Sequence, residues 1–320
     1  MLTDSIAPMG AKALLVCSTG GHLSELIRLE AQLGVNPESL WVTFDTPQSR
    51  ELLEGRRMIA LPYIGPRDLK GTLRAMPVLR RALQAESFEV AVSTGAAVAV
   101  AALPLAVLAG VPATYVESVS RVHGPSSTGR ILELVPGVRL RTPHPQWSRG
   151  RWAPAHSVLS DFRSVPAATR AVPRKVFVTL GTIRGYRFDS VVDAMLRTGY
   201  ANDETVWQLG DTDRSDSLPG TVHQYMSPDD FARTALEADA VVTHAGVGTL
   251  LELLGMGIYP VQAVRRAHRR EHVDDHQTEI ARLVNELDIG VAVDGPELTG
   301  SAIERAASRR IVDGLRAGAA

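Results

Sequence analysis

Short apolar runs alternate with longer amphipathic ones along this chain, and the alternation occurs twice with a break between. In the first half, residues 13–17, 40–44, 58–63, 90–94 and 113–117 read as strands. Helical spacing falls between them at 22–33 (Leu23, Leu26, Ile27, Glu30, Leu33), 48–54, 68–84 and 97–109. A repeated β-α order favours a parallel sheet covered on both faces. Periodicity lapses over 153–173, where Pro154, Pro166 and Pro173 fall, and then restarts. Strands are expected at 175–179, 205–209, 240–243 and 259–263, with helices at 189–197, 229–238, 248–254 and 274–287. The predicted fold class is α/β, with two Rossmann-like doubly wound domains at 1–155 and 175–320, a linker at 156–174 and an interdomain cleft.

Composition narrows the function classes. The 320 residues are 45% hydrophobic and 22% charged, which is ordinary globular material. A net charge of −1 gives no electrostatic case for nucleic acid as the main partner. Charge is uneven, with 17 basic against 13 acidic residues up to position 165 and 17 against 22 beyond it. A lone Cys17 excludes an internal disulfide framework and a Cys-based zinc site, and suits a reducing cytoplasm. Residues 1–10, with Asp4 and Pro8, hold no long apolar core, so neither a signal peptide nor a span is expected there. The most apolar stretch, 96–110, is too short to cross a bilayer and contains Pro104, so a buried helix is expected.

In doubly wound sheets, ligands sit outside the carboxyl ends of strands. Three such loops stand out: C-S-T-G-G-H-L-S-E at 17–25, T-L-G-T-I-R-G at 179–185 and H-A-G-V-G-T at 244–249. Each sets glycine and a hydroxyl where free backbone N–H groups and a helix dipole face an anion, and a diphosphate is the natural guest. None is a Walker loop or G-x-G-x-x-G, so NTP hydrolysis and dinucleotide redox chemistry lack their usual signatures. A nucleotide-sugar diphosphate needs neither. Glu252, eight residues past His244 on the helix that follows, is placed to hold a ribose, its alternative being a solvated helix glutamate. Flanked by Leu250, Leu251, Leu253 and Leu254, it would be an odd charge to bury unpaired.

Residues 265–279, R-R-A-H-R-R-E-H-V-D-D-H-Q-T-E, permit two chemistries. His268, Glu271 and His272 spell H-x-x-E-H, and His272 and His276 are spaced for one helix face, so a zinc hydrolase is the rival from another class. That motif requires a regular helix, whereas the segment reads as a loop after a strand. The alternative is polar recognition, with Asp275, His276 and Gln277 offered to sugar hydroxyls at a helix start. An exposed charged loop at 265–271 with an N-cap at Asp274 is the third reading.

H-A-G-V-G-T-L-L-E followed by D-D-H-Q-T-E-I-A resembles the donor-binding signature of the second subunit of the dolichol-pathway N-acetylglucosamine transferase, and V-F-V-T-L-G-T resembles that subunit's opening strand and turn. V-C-S-T-G-G-H-L-S-E-L-I-R-L and Y-V-E-S-V-S-R-V-H-G-P-S-S-T-G-R-I-L resemble its partner subunit. The chain thus looks like a bacterial fusion of both over most of 12–290, with the lipid II-forming peptidoglycan N-acetylglucosamine transferase a more distant cousin. The resemblance implies an inverting, metal-independent GT-B glycosyltransferase that uses a UDP-sugar as co-substrate and needs no cofactor. The C-terminal domain would hold the donor and the N-terminal one the acceptor. Gly181, Thr182, His244, Ala245, Gly246, Gly248 and Thr249 would surround the diphosphate, Glu252 the ribose, and Asp275, His276 and Gln277 the sugar. Gly20, Gly21, Ser118 and Arg121 would lie on the acceptor side. The partner subunit's membrane helix has no counterpart in this sequence, and the run 265–270 is richer in arginine than the family pattern, which leaves membrane anchoring and sugar identity open.

Inverting transfer calls for a base at the acceptor hydroxyl, for which His22 and then Glu117 are candidates; a phosphate acceptor would need none. N-acetylglucosamine is the expected hexose, and a polyprenyl-diphosphate sugar the expected acceptor. Segment 67–81 mixes Arg67, Lys70, Arg74, Arg80 and Arg81 with Leu69, Leu73, Met76, Val78 and Leu79, as peripheral contact with the cytoplasmic face of a membrane requires; an ordinary surface helix fits equally. A UDP-sugar epimerase, transfer to a soluble acceptor and a non-catalytic nucleotide-sugar sensor are further readings of the donor domain.

Overall fold

The computed structural model describes residues 6–65, 68–168, 172–181, 185–272, 275 and 277–317. The chain divides into two units, Met1–Val158 and Leu159–Ala320.

The first unit runs β1 (Ala13–Cys17), α1 (Gly21–Leu33), β2 (Leu40–Phe44), α2 (Pro47–Leu52), β3 (Met58–Leu61), α3 (Leu69–Ala85), β4 (Val90–Gly95), α4 (Ala97–Leu108), β5 (Ala113–Val116), α5 (Ser127–Glu133), β6 (Val138–Thr142) and β7 (Trp152–Pro154). Its seven strands are all parallel in the order β3-β2-β1-β4-β5-β6-β7, so the order reverses at β1 and β4. Strands β1, β2, β4 and β5 are buried throughout, the mark of a sheet covered on both faces. Helix α1 lays Leu23, Leu26, Leu29 and Leu33 on the core and stops at Gly34, whose left-handed φ of 56° glycine tolerates best. Helix α4, apolar all round, buries Val98, Ala99, Ala102, Leu103 and Ala106, as its composition predicts.

The second unit contains β8 (Phe162–Pro166), β9 (Val176–Thr179), α6 (Asp189–Arg197), β10 (Val206–Gln208), β11 (Thr221–His223), α7 (Pro228–Glu237), β12 (Ala240–His244), α8 (Val247–Gly255), β13 (Val261–Val264), α9 (Gln277–Glu286), β14 (Val291–Asp294), α10 (Gly300–Ala307), β15 (Arg309–Asp313) and α11 (Gly314–Ala317). Six parallel strands follow the order β11-β10-β9-β12-β13-β14, reversing at β9 and β12. Strands β8 and β15 form a separate antiparallel pair.

Part of the segment expected as a linker is therefore ordered, because β8 finds its partner about 145 residues downstream, a distance no local pattern reveals. Asp288 ties this pair down: it accepts from Tyr259 Oη at 2.8 Å, Ser164 Oγ at 3.0 Å and Arg309 Nη2 at 2.6 Å. Strands β6, β7, β11 and β14 and helices α5 and α10 also went unread in the sequence. Helix α9 opens at Gln277 rather than 274, and Asp274, the expected cap, lies outside the described residues.

Candidate functional site

In each unit the loops at the reversal point carry the motif residues. In the first, the loop after β1 leads into α1, whose N-cap Gly20 (φ 79°) offers no side-chain cap to the opening amides. Gly20 N itself donates to Gln48 Oε1 at 2.7 Å, and Gly21 is the first helical residue. His22 follows. Thr94 Oγ1 donates to its carbonyl at 2.7 Å, and Gly95 (φ 116°) comes so close that a Cβ there would sit 3.0 Å from the ring. Burial, and then the Arg121 charge, push the His22 pKa down to about 4, so the ring is neutral at physiological pH. Its Nδ1 is buried without a hydrogen-bond partner.

Glu117, the second candidate base, accepts from its own strand and loop. Tyr115 Oη (2.9 Å) and Ser118 N (3.1 Å) donate to one oxygen and Ser126 N (2.8 Å) to the other, so this buried carboxylate shapes the loop that follows β5. Burial raises its pKa, against the pull of those donors. The same loop is fastened from α1 by Glu25, which sequence reasoning passed over. Ser118 Oγ lies 2.6 Å from Glu25 Oε1 and Val119 N 3.2 Å from Oε2. Burial, with a smaller push from Glu117, raises the Glu25 pKa to about 8. His144 Nε2, 2.8 Å from the Val119 carbonyl, and Trp147 Nε1, 3.1 Å from that of Arg121, complete the fastening. Ser118 is buried and committed to Glu25, whereas Arg121 is half-buried with its charge felt at His22. The signal for Glu25 was available: it shares the inward stripe of α1 with Leu26, Leu29 and Leu33.

In the second unit, β9 ends at Thr179 and is followed by Leu180 and Gly181, and β12 ends at His244 and is followed by Ala245 and Gly246. Thr182 lies outside the described residues. The glycines here are small for a reason the sequence did not suggest. A Cβ on Gly181 (φ 77°) would fall 2.6 Å from the His244 ring, and one on Gly246 2.3 Å from it. The close approach is thus made by the protein's own imidazole. Burial, then the charges of Arg265 and His272, push the His244 pKa down to about 3. Ala245 is buried. Gly246 caps α8 with no side-chain hydrogen bond, so the amides of Val247, Gly248 and Thr249 open the helix uncapped. Glu252 is exposed while Leu250, Leu251, Leu253 and Leu254 are buried, which removes the expected burial problem.

Residues 265–272 form neither a helix nor a free loop. Ala267–Arg269 is a single 3-10 turn and Arg270 takes a left-handed φ of 58°, a geometry that takes the H-x-x-E-H spacing off any helix face. Glu271 is buried and consumed by Ser190 Oγ, Arg266 N (3.0 Å) and Arg269 Nε (2.9 Å). His268 is exposed, and no group of three metal-binding side chains occurs among the described residues. The regular helix that the H-x-x-E-H reading needs is therefore absent over 268–272. Asp275 Oδ1 accepts from Ala267 N at 2.9 Å, and Gln277, buried, accepts from Arg265 N at 3.1 Å, so both brace this segment; His276 lies outside the described residues. Arg265, expected in an exposed loop, is only 1% exposed.

Along α3, Thr72, Ala75, Leu79 and Ala82 face the core, and Leu69 and Leu73 stay exposed beside Lys70 and Arg74, with Tyr63 exposed just upstream. Met76 and Val78, counted in the sequence as part of an apolar side, pack on the core instead; Arg67 lies outside the described residues. No helix among the described residues is long and apolar enough to cross a membrane.

Residues 191–306 match the model of the glycosyltransferase family 28 C-terminal domain. Among curated proteins no match was found. Solved structures share the architecture at low identity. MurG of Acinetobacter baumannii aligns at 17% identity and a TM-score of 0.56, covering 92% of this chain and 89% of that one. The glycosyltransferase SnogD from Streptomyces nogalater aligns at 17% and 0.58, covering 96% and 93%. The spinosyn rhamnosyltransferase SpnG, complexed with thymidine diphosphate, aligns at 16% and 0.54, covering 92% and 90%. The fold is GT-B, and its C-terminal unit carries a glycosyltransferase domain.

Proposed function

We propose that this GT-B glycosyltransferase takes a hexose from a UDP-sugar and passes it, with inversion, to an acceptor held by the N-terminal unit. The observation that carries the reading is the start of α8: an uncapped helix N-terminus directly after β12, at the reversal of strand order, with Glu252 exposed a little more than one turn on. A diphosphate meets the free amides and dipole of Val247, Gly248 and Thr249, and the ribose hydroxyls meet Glu252. The same amides stabilise the charge that develops on the departing diphosphate, so no metal is required. A nucleoside diphosphate in the structurally similar SpnG supports this class of occupant.

Neutral His22 is in the form a base needs but is a weak one, which favours its orienting the acceptor hydroxyl over fully removing its proton. N-acetylglucosamine is the proposed hexose and a polyprenyl-diphosphate sugar the proposed acceptor. Exposed Tyr63, Leu69 and Leu73 beside Lys70 and Arg74 suit an enzyme that works at a lipid surface.

Calorimetric titration with UDP, UDP-N-acetylglucosamine, UDP-glucose and UDP-glucuronic acid, with and without EDTA, tests the reading. Binding should survive EDTA and fall at least tenfold in Glu252→Ala. No UDP binding by the parent protein would overturn it.

A further inference from the structure

Arg265 follows β13 directly and lies on the sheet face of His244, whose strand partner is Ala263. It is the least exposed arginine among the described residues, yet its side chain is poorly matched. One terminal nitrogen donates to the Leu180 carbonyl, and the guanidinium lies over Phe188 at 5.1 Å. Nε and Nη1 have no partner. The two acids whose charge reaches it are engaged elsewhere. Glu271 is consumed as described, and Asp211 accepts from Gly185 N at 2.6 Å and Tyr225 Oη at 2.6 Å. Burial accordingly pushes the guanidinium pKa down to about 10. A buried cation with a single carbonyl partner is destabilising unless an anion joins it, and such strained, under-satisfied groups concentrate where ligands bind.

Its place in the fold says which anion. The carbonyl it holds belongs to Leu180, next to Gly181, and its charge is felt by His244, so it stands at the base of both loops that receive the donor. We propose that Arg265 is the donor site's anion-pairing residue, meeting an oxyanion of the incoming nucleotide sugar with Nε and Nη1. This rests on the UDP-sugar reading above. The oxyanion belongs either to the diphosphate or to the carboxylate of a uronic acid donor, and both offer the same chemistry to a guanidinium. Because Nε and Nη1 are closed to water, donor arrival must displace what covers them.

The test is titration of the parent and Arg265→Met with UDP, UDP-N-acetylglucosamine and UDP-glucuronic acid, alongside thermal unfolding of each free protein. Pairing with the diphosphate predicts at least a tenfold loss for all three ligands. Pairing with a carboxylate predicts that loss for UDP-glucuronic acid alone. In either case the Tm of the free variant holds or rises, because an uncompensated buried charge has gone. Arg265→Gln, which keeps a donor for the Leu180 carbonyl, gives the same readout should the methionine variant fail to fold. Parental affinity for every ligand in a folded variant overturns the proposal, and a lowered Tm with parental affinity makes Arg265 purely structural. A parent that binds none of the three fails the donor reading itself, and this inference with it.

Discussion

Glu25 gives the N-terminal unit a stability that depends on pH in a direction opposite to most surface carboxylates. Its ordinary value of 4.5 rises to about 8 in the fold, first because burial removes water from the charged form. Protonated, it fits its surroundings: an O–H at Oε1 donates to Ser118 Oγ, which donates on to Ser120 Oγ at 3.1 Å, while Oε2 still accepts from Val119 N. The folded state therefore holds a proton that the unfolded chain releases. The stabilisation is whole below about pH 4.5, decays as pH rises, and is gone above about pH 8. At ~1.4 kcal/mol per pH unit, the interval is worth on the order of 5 kcal/mol, of which about 3 is already lost at pH 7. Glu25→Gln keeps the shape and both hydrogen bonds without the ionisation. Urea unfolding from pH 5 to 9 should show the parent falling steadily relative to this variant, with the variant more stable at pH 8. Parallel curves would refute the argument, because they would mean that Glu25 titrates alike in both states.

Gly181→Ala should destabilise the C-terminal unit by roughly 1–3 kcal/mol, combining the left-handed backbone with the His244 clash. His244→Ala should restore part of that loss in the double variant, a coupling that urea titration of the four proteins measures. Leu69→Asp with Leu73→Asp should abolish flotation with anionic vesicles, yet leave UDP affinity in solution unchanged, since both side chains are exposed on α3. Flotation equal to the parent's would remove this face from membrane contact.

Strands such as β1 and β2 were legible to the residue because buried parallel strands are continuous apolar runs, a pattern that needs no partner to be recognised. β11, exposed along its length, and β8, whose partner is remote, send no such signal. The same division runs through the site. Glycine-rich turns after strands mark the loops that open α1 and α8, because the turn and the helix start are local. What fills those loops is tertiary. His244 occupies the space beside Gly181 and Gly246, Glu271 and Gln277 brace a segment that spelled a metal motif, and Glu117 faces its own loop. Periodicity did contain Glu25 and the exposed side of Glu252, since both follow from which leucines flank them on a helix.

The antiparallel pairing of β8 with β15 brings the first strand of the C-terminal unit and its last one side by side. A unit whose two ends emerge together behaves as a cassette. It can be lifted out, exchanged or reconnected at new ends without re-threading its sheet. On the donor reading proposed above, sugar preference would then be transplanted between such chains as a single piece, the graft crossing the host sequence at one doorway.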